Sequence, residues 1–235
     1  MNVSVPDQEL IPWVAFRDSD GDQLRKQLQA DWEAILADKS KKEEAYQQFI
    51  AENAGLFFSQ EKVVISKVPL GADHVTDFVI GRDEASYGFA YEFVELESPH
   101  SPAFTRAGHP SARLSMAVQQ VLNWKTWLDA NRSEAKKLFR SSPFTLYDTP
   151  TFSFTIYIGR SSDRPDELLA LRNKYANQIN INIHGFDHLT RSFPHPLIGI
   201  FPFLAEVDQA RHPREEQVGK SICKRIQLGR MERDG

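Results

Sequence analysis

Cysteine is almost missing from this chain. Cys223 stands alone, so no disulfide framework exists within it, and the thiol reads as structural in a reducing compartment. No run approaches the roughly 18 apolar residues that a membrane span needs. Met1 is not followed by a basic segment and a long apolar run, so no signal peptide is expected. These absences point to a cytoplasmic protein without a membrane partner. An excess of basic charge is missing too. Lys and Arg number 28 against 32 Asp and Glu, a formal net charge of −4. That argues against a protein that coats nucleic acid non-specifically, and leaves room for a local basic groove. Internal repeats, low-complexity tracts, a Gly-rich phosphate loop, an HExxH pair, a Ser/His/Asp order and a Cys nucleophile motif are all absent from the sequence.

What is present suits one globular domain with sizeable ends. The 235 residues are 41% hydrophobic and 26% charged, enough apolar matter for a core. After an irregular start over residues 1–20, Leu24, Leu28, Trp32, Ile35 and Leu36 recur at helical spacing. Ser40 with Glu43 three later is a capping-box signature opening a second helix, which Gly55 is expected to stop. Strands are expected at Lys62–Val68, His74–Gly81 and Tyr87–Glu97. A loop with Pro99, Pro102, Gly108 and Pro110 follows, then a long amphipathic helix over Ser111–Asp129. Its core stripe is Leu114, Ala117, Val118, Val121, Leu122 and Leu128. A β-branched and aromatic strand at Thr151–Gly159, a helix at Pro165–Ala176, alternation at Ile179–Ile183 and a short helix or turn at Gly185–Phe193 complete the order. Three sequential strands imply an antiparallel meander, which the strand after the long helix joins in parallel. The fold class is α/β, a mixed central sheet with an antiparallel meander flanked by helices. The chain divides into a helical extension at 1–39, a central domain at 40–205 and a polar tail at 206–235. Residues 211–235 carry seven Lys or Arg against four Asp or Glu.

The stretch Tyr91–Pro102, YEFVELESPHSP, poses the chemical question. Residues two apart in a strand share a face, so Phe89, Tyr91 and Phe93 lead into Glu95 and Glu97. Either the strand runs into water, or the two acids face something cationic. Asp77 lies one strand earlier, in VTDFVI. A hairpin centred near Ser86 sets Phe78 opposite Val94, Val79 opposite Phe93 and Asp77 opposite Glu95, with Cβ atoms roughly 5 Å apart. Three carboxylates that close repel, and burial adds a desolvation cost. A hard divalent cation such as Mg²⁺ compensates with oxygen ligands and activates water against a phosphodiester. A solvated sheet end is the competing reading, and a one-residue slip moves Asp77 to the other face.

With these residues in place, TDFVI, YEFVELESP and AVQQVLNW together resemble the D…E-x-K…Q arrangement of PD-(D/E)XK nucleases, restriction-endonuclease-like in fold. More narrowly they resemble the nuclease domain of the Shedu anti-phage proteins. YQQFIAENAGLF (Tyr46–Phe57) is similar to that family's opening helix. Thr155–Phe193 is similar to its closing strand, helix and short strand. The likeness covers about Ser40–Ser192. It implies a DNA endonuclease dependent on Mg²⁺ or Mn²⁺, acting on phage or foreign DNA, with Asp77 and Glu95 as metal ligands and Glu97 and Gln120 completing the catalytic set. Trp124 stands where that family often has an aromatic. Arg113, Met116, Gln120, Trp124 and Trp127 also form a stripe beside the core stripe. The family's lysine two after the glutamate is Glu97 here. E-x-E variants exist among related restriction-type nucleases, and a glutamate can take a proton from water or help hold metal, though it supplies no positive charge. The alternative is a catalytically impaired nuclease fold kept for DNA binding or regulation, and a self-associating scaffold is a third reading. Folds of this size often clamp a duplex with a second subunit, so a homo-oligomer is expected.

Other residues carry weaker signals. His100, Arg106, His109 and Arg113 flank or follow the loop above the acids and are candidate DNA contacts. Arg132–Arg140 is a basic run, read first as a solvated face and second as phosphate contacts. Glu52 is a candidate to reach the metal from the side, and Glu92 is expected to face away from Glu95. His184 and His188, at i and i+4, lack the pattern of a zinc site.

Overall fold

A helix over Ser19–Ala37 (α1) opens the described part of this computed structural model, which comprises residues 19–58, 63–83, 89–139, 151–160 and 166–191. Expectations for residues 1–18, the tail at 206–235 and Cys223 lie outside it. Trp32 and Leu36, one turn apart, are buried. A second helix at Glu43–Glu52 (α2) buries Tyr46, Phe49 and Ile50, and a single turn at Ala54–Phe57 (α3) follows. The expected capping box does not form. Ser40 gives its amide and hydroxyl to Asp38 Oδ1, and Glu43 instead accepts from Gln47 Nε2 at 3.0 Å. Gly55 does not stop α2 either. The break falls at Asn53, whose side-chain amide donates to the Phe49 carbonyl.

Five strands form the central sheet. They are β1 (Val63–Ser66), β4 (Phe78–Asp83), β5 (Phe89–Leu96), β6 (Thr151–Tyr157) and β7 (Asn182–His184), in the order β1-β4-β5-β6-β7. The first three pair antiparallel and the last two join in parallel. The register is the expected one, Phe78 opposite Val94 and Val79 opposite Phe93. Between β1 and β4 the chain makes a small hairpin, β2 (Pro69–Leu70) with β3 (His74–Val75). This splits the expected strand His74–Gly81 at Thr76 and Asp77. The neck of the hairpin is closed by Lys67 N to the Asp77 carbonyl at 3.0 Å and Thr76 N to the Val68 carbonyl at 2.9 Å.

Period-two alternation sends the strand side chains into two cores. On one face Phe78, Ile80, Val94, Leu96 and Tyr157 meet α1, α2, α3 and a helix at Phe186–Arg191 (α7). Trp32 centres this layer, stacked on Phe49 at 5.4 Å and edge-on to Phe57 at 4.9 Å. On the other face Val79, Tyr91, Phe93, Phe154 and Ile156 meet a long helix at Ala112–Ala130 (α4) and a short one at Arg132–Leu138 (α5). A helix at Asp166–Ile179 (α6) packs its Leu171 and Tyr175 against the same core. Ser111 caps α4, accepting from Leu114 N at 3.2 Å. Two expectations for α4 are corrected. Trp124 is fully buried in the core, and Leu122 is exposed. Trp124 belongs to both the 3–4 spaced stripes, and its apolar area draws it inward. The architecture is thus a mixed five-stranded sheet between two helical layers. Among the described residues no helix is long and apolar enough to cross a membrane.

Candidate functional site

The regular ladder between β4 and β5 stops at Phe78 and Val94. One residue further out stand Asp77 and Glu95, then Glu97. All three are buried, with 6%, 5% and 7% of their surface exposed, so a solvated sheet end is not what the strands build. Glu97 is held from below by β6, its amide donating to the Tyr157 carbonyl at 2.9 Å. The acids therefore sit at the carboxyl end of β5, where the chain leaves the sheet for the loop to α4.

Helices on both faces reach this point. From α4, Gln120 Nε2 donates to Glu95 Oε2 at 3.0 Å. Arg113 Nη1, in the first turn, lies 3.8 Å from Glu97 Oε2. From α2, Gln47 Nε2 donates to Asp77 Oδ1 at 2.7 Å and also to Glu43. Asp77 is fully engaged. Its Oδ1 further accepts from Lys67 Nζ at 2.7 Å, and its Oδ2 accepts from the Leu96 amide at 2.7 Å. Glu97 Oε2, by contrast, is buried and accepts no hydrogen bond.

The electrostatics follow from burial and crowding. The Glu95 carboxyl is pushed up to about 10, first by desolvation, then by Asp77, Glu43 and Glu97, with Lys67 opposing. Glu43 rises to about 7 through burial, Asp77 and Glu97. Glu97 is also raised by burial, with Arg113 working against it. Four acids converge on two nearby cations, Lys67 and Arg113. The donor set is all hard oxygen, and one buried carboxylate oxygen, Glu97 Oε2, accepts no hydrogen bond, so its chemistry fits Mg²⁺ or Mn²⁺. As the side chains stand, no group of three or more His, Cys, Asp or Glu among the described residues is arranged to hold a metal ion. Asp77's oxygens are committed to Lys67, Gln47 and Leu96.

Asp77, Glu95, Glu97, Gln120 and Arg113 come together. Arg106 and His109 are exposed on the loop between β5 and α4, which a bridge between Phe104 and Pro110 closes. Glu52 does not reach the acids. It is exposed and accepts from Gln48, while Gln47 and Glu43, five and nine residues earlier, are the α2 residues that approach them. Met116 points to solvent, and Trp127 packs on the β2–β3 turn beside Gly71. Glu92 pairs with Arg82 at 2.9 Å and accepts from Thr155 Oγ1, so its partners are strands. His184 and His188 stack ring on ring at 4.2 Å, and burial lowers both. The reading missed Lys67, Gln47 and Glu43. Gln47 did carry a signal, an amide inside the apolar stripe of α2.

A scan against protein families matches residues 40–190 to the family described as Shedu protein SduA, C-terminal. No curated protein matches the chain. The match spans α2 through α7 with all of the buried acids, and it covers more than half of the 235 residues. The chain belongs to the Shedu family.

Proposed function

We propose that the chain, which as a member of the Shedu family has a place in anti-phage defence, acts there as a PD-(D/E)XK-like endonuclease that hydrolyses phosphodiester bonds of DNA with Mg²⁺ or Mn²⁺. The observation that carries this reading is the buried acid group Asp77, Glu95 and Glu97, set at the end of the central strand with an amide reaching it from each helical layer. Asp77 and Glu95 would hold the ion. When bound, it would supply the charge that polarises a phosphodiester and sharpens a water as nucleophile. Gln120 fixes Glu95 in one rotamer through its 3.0 Å hydrogen bond. Glu97, with a raised carboxyl and an oxygen that accepts no hydrogen bond, takes the proton from the attacking water. Arg106, His109 and Arg113 contact the DNA backbone from the overhanging loop and the start of α4.

The test is cleavage of linear and circular duplex DNA in Mg²⁺ or Mn²⁺, wild type against Glu95→Gln. Glu95→Gln is the cleaner substitution, because Asp77 also closes the strand end. Loss of cutting by about 100-fold or more is expected. Undiminished cutting by Glu95→Gln rejects the assigned site.

One observation favours a second reading. Asp77 is saturated by Lys67, Gln47 and Leu96, as in a fold kept for DNA binding or regulation. Calorimetry separates the two: this reading requires that Mn²⁺ give no heat at the acid cluster while DNA still binds.

A further inference from the structure

The strand pattern leaves the site without the lysine expected at Glu97, yet an ammonium group is present. Lys67 Nζ stands 2.7 Å from Asp77 Oδ1. Its side chain is 53% exposed while Asp77's is 8% exposed, so the pair spans the boundary between the buried acids and solvent. A phosphate arriving from outside meets the ammonium before it meets the carboxylates.

The backbone beneath Lys67 is unusual. Its φ is +54°, a left-handed conformation that glycine or asparagine adopts with less strain. Strained positions persist where the surroundings over-determine them, and they cluster at functional sites. Here the surroundings are the closed neck of the β2–β3 hairpin, with Lys67 N on the Asp77 carbonyl and Thr76 N on the Val68 carbonyl. The hairpin forces the turn, the turn aims the side chain at Asp77, and the position carries a long cation where a small residue would fit more easily.

Charge balance supports the same role. Of the two cations beside the acids, Arg113 stays 3.8 Å from Glu97 and is 62% exposed. Among the cations of the described residues, Lys67 is the one in hydrogen-bond contact with a member of the set. Its tetrahedral ammonium has three donors, and one bond to Asp77 leaves two free to turn outward.

Resting on the nuclease reading, we infer that Lys67, delivered by the hairpin rather than by β5, is the residue that contacts the DNA phosphate at this site and offsets the charge that develops on it. The lysine's place in sequence has moved while its charge remains at the acids.

Lys67→Gly is the natural test, because glycine tolerates the left-handed backbone and the fold is kept. In Ca²⁺ buffer, Lys67→Gly should weaken binding of a short duplex, with the slope of log K against log salt shallower by about 0.9. Cleavage in Mn²⁺ should fall about 100-fold, with Mn²⁺ affinity within a few-fold of wild type by calorimetry. Added methylamine should restore part of the cutting, and Lys67→Arg should retain part of it; a merely structural lysine would give no amine rescue. An unchanged salt slope overturns the proposal, as does wild-type cutting by Lys67→Gly where Glu95→Gln is inactive. If the wild type cuts nothing, the nuclease reading fails by itself, and the salt slope still decides whether Lys67 meets phosphate.

Discussion

Asp77 Oδ2 takes the amide of Leu96 at 2.7 Å, where the next rung of the β4–β5 ladder would have been. A side chain thus finishes a strand pair that the backbone abandons after Phe78 and Val94. The same carboxylate holds Lys67 and Gln47. It therefore has a structural duty besides any chemical one. Removing it leaves the buried Leu96 amide hydrogen without an acceptor and the Gln47 amide with Glu43 alone.

From this follows the first prediction, which separates the two acids by stability. Asp77→Ala should destabilise the fold by about 3 kcal/mol, since buried donors lose their partner. That corresponds to a fall in Tm on the order of 10 °C for a chain of this size. Glu95→Gln keeps the shape and relieves crowding, so its Tm should equal or exceed the wild-type value. Equal melting of Asp77→Ala and wild type would refute the structural role.

A second prediction concerns pH. Glu95 has its carboxyl raised from 4.5 to about 10 in the fold. A raised acid binds its proton more tightly when folded. Its contribution is fully present below about 4.5 and is lost as pH climbs toward 10. Glu43 adds to the same trend between 4.5 and about 7. Wild type should lose stability to urea between pH 6 and pH 9, and Glu95→Gln should lose less. Parallel curves for the two proteins would contradict the burial of this charge. Because the carboxyl is protonated near neutrality, Mn²⁺ binding should release about one proton, measurable by calorimetry in buffers of different ionisation enthalpy.

The contrast between Glu95 and Lys67 shows what could be read from the chain. A hairpin centred near Ser86 set Phe78 and Val79 opposite Val94 and Phe93, a register that a one-residue slip would have changed and that the strands adopt. That parity placed Asp77 across from Glu95, whereas Gln120 came from the family resemblance, with the stripe spacing of α4 in agreement. Lys67 left no comparable trace. Two two-residue strands, β2 and β3, separate it from Asp77, and strands so short show no period. In KVVISKV it reads as the polar end of an edge strand. Gln47 was hidden differently, as one of two glutamines between Tyr46 and Phe49, whose burial was the stronger signal. Trp124 fitted both stripes of α4, and its size settled the matter for the core.

Gln120 provides a third prediction, since it is an exposed residue of α4 whose side chain donates to Glu95. Gln120→Leu should change stability by less than about 1 kcal/mol. Loss of the hydrogen bond that orients a ligand should weaken Mn²⁺ affinity by about 10-fold. Calorimetry and a thermal melt together check this. A variant that binds Mn²⁺ as wild type does would remove Gln120 from the site.

The hairpin that carries Lys67 is seated on α4 through Gly71, and a final prediction tests that seat. Gly71 has φ +70°, and an added Cβ would fall 2.6 Å from Trp127 Nε1 and 3.3 Å from its Cε2. Two penalties coincide, a left-handed backbone unsuited to alanine and a clash with the Trp127 indole. Gly71→Ala should cost about 2 kcal/mol or more in urea unfolding. Because the neck bonds of Lys67 and Thr76 depend on the hairpin's position, this variant should also loosen the Lys67–Asp77 pair. Its amides at Lys67 and Thr76 should then exchange hydrogen faster than in wild type, while those of β6 stay protected. Trp127→Leu in the same background opens space over Gly71 and should recover part of the loss. If Gly71→Ala melts as wild type does, the hairpin is not seated on α4 by this contact, and the aim of Lys67 must come from the neck bonds alone.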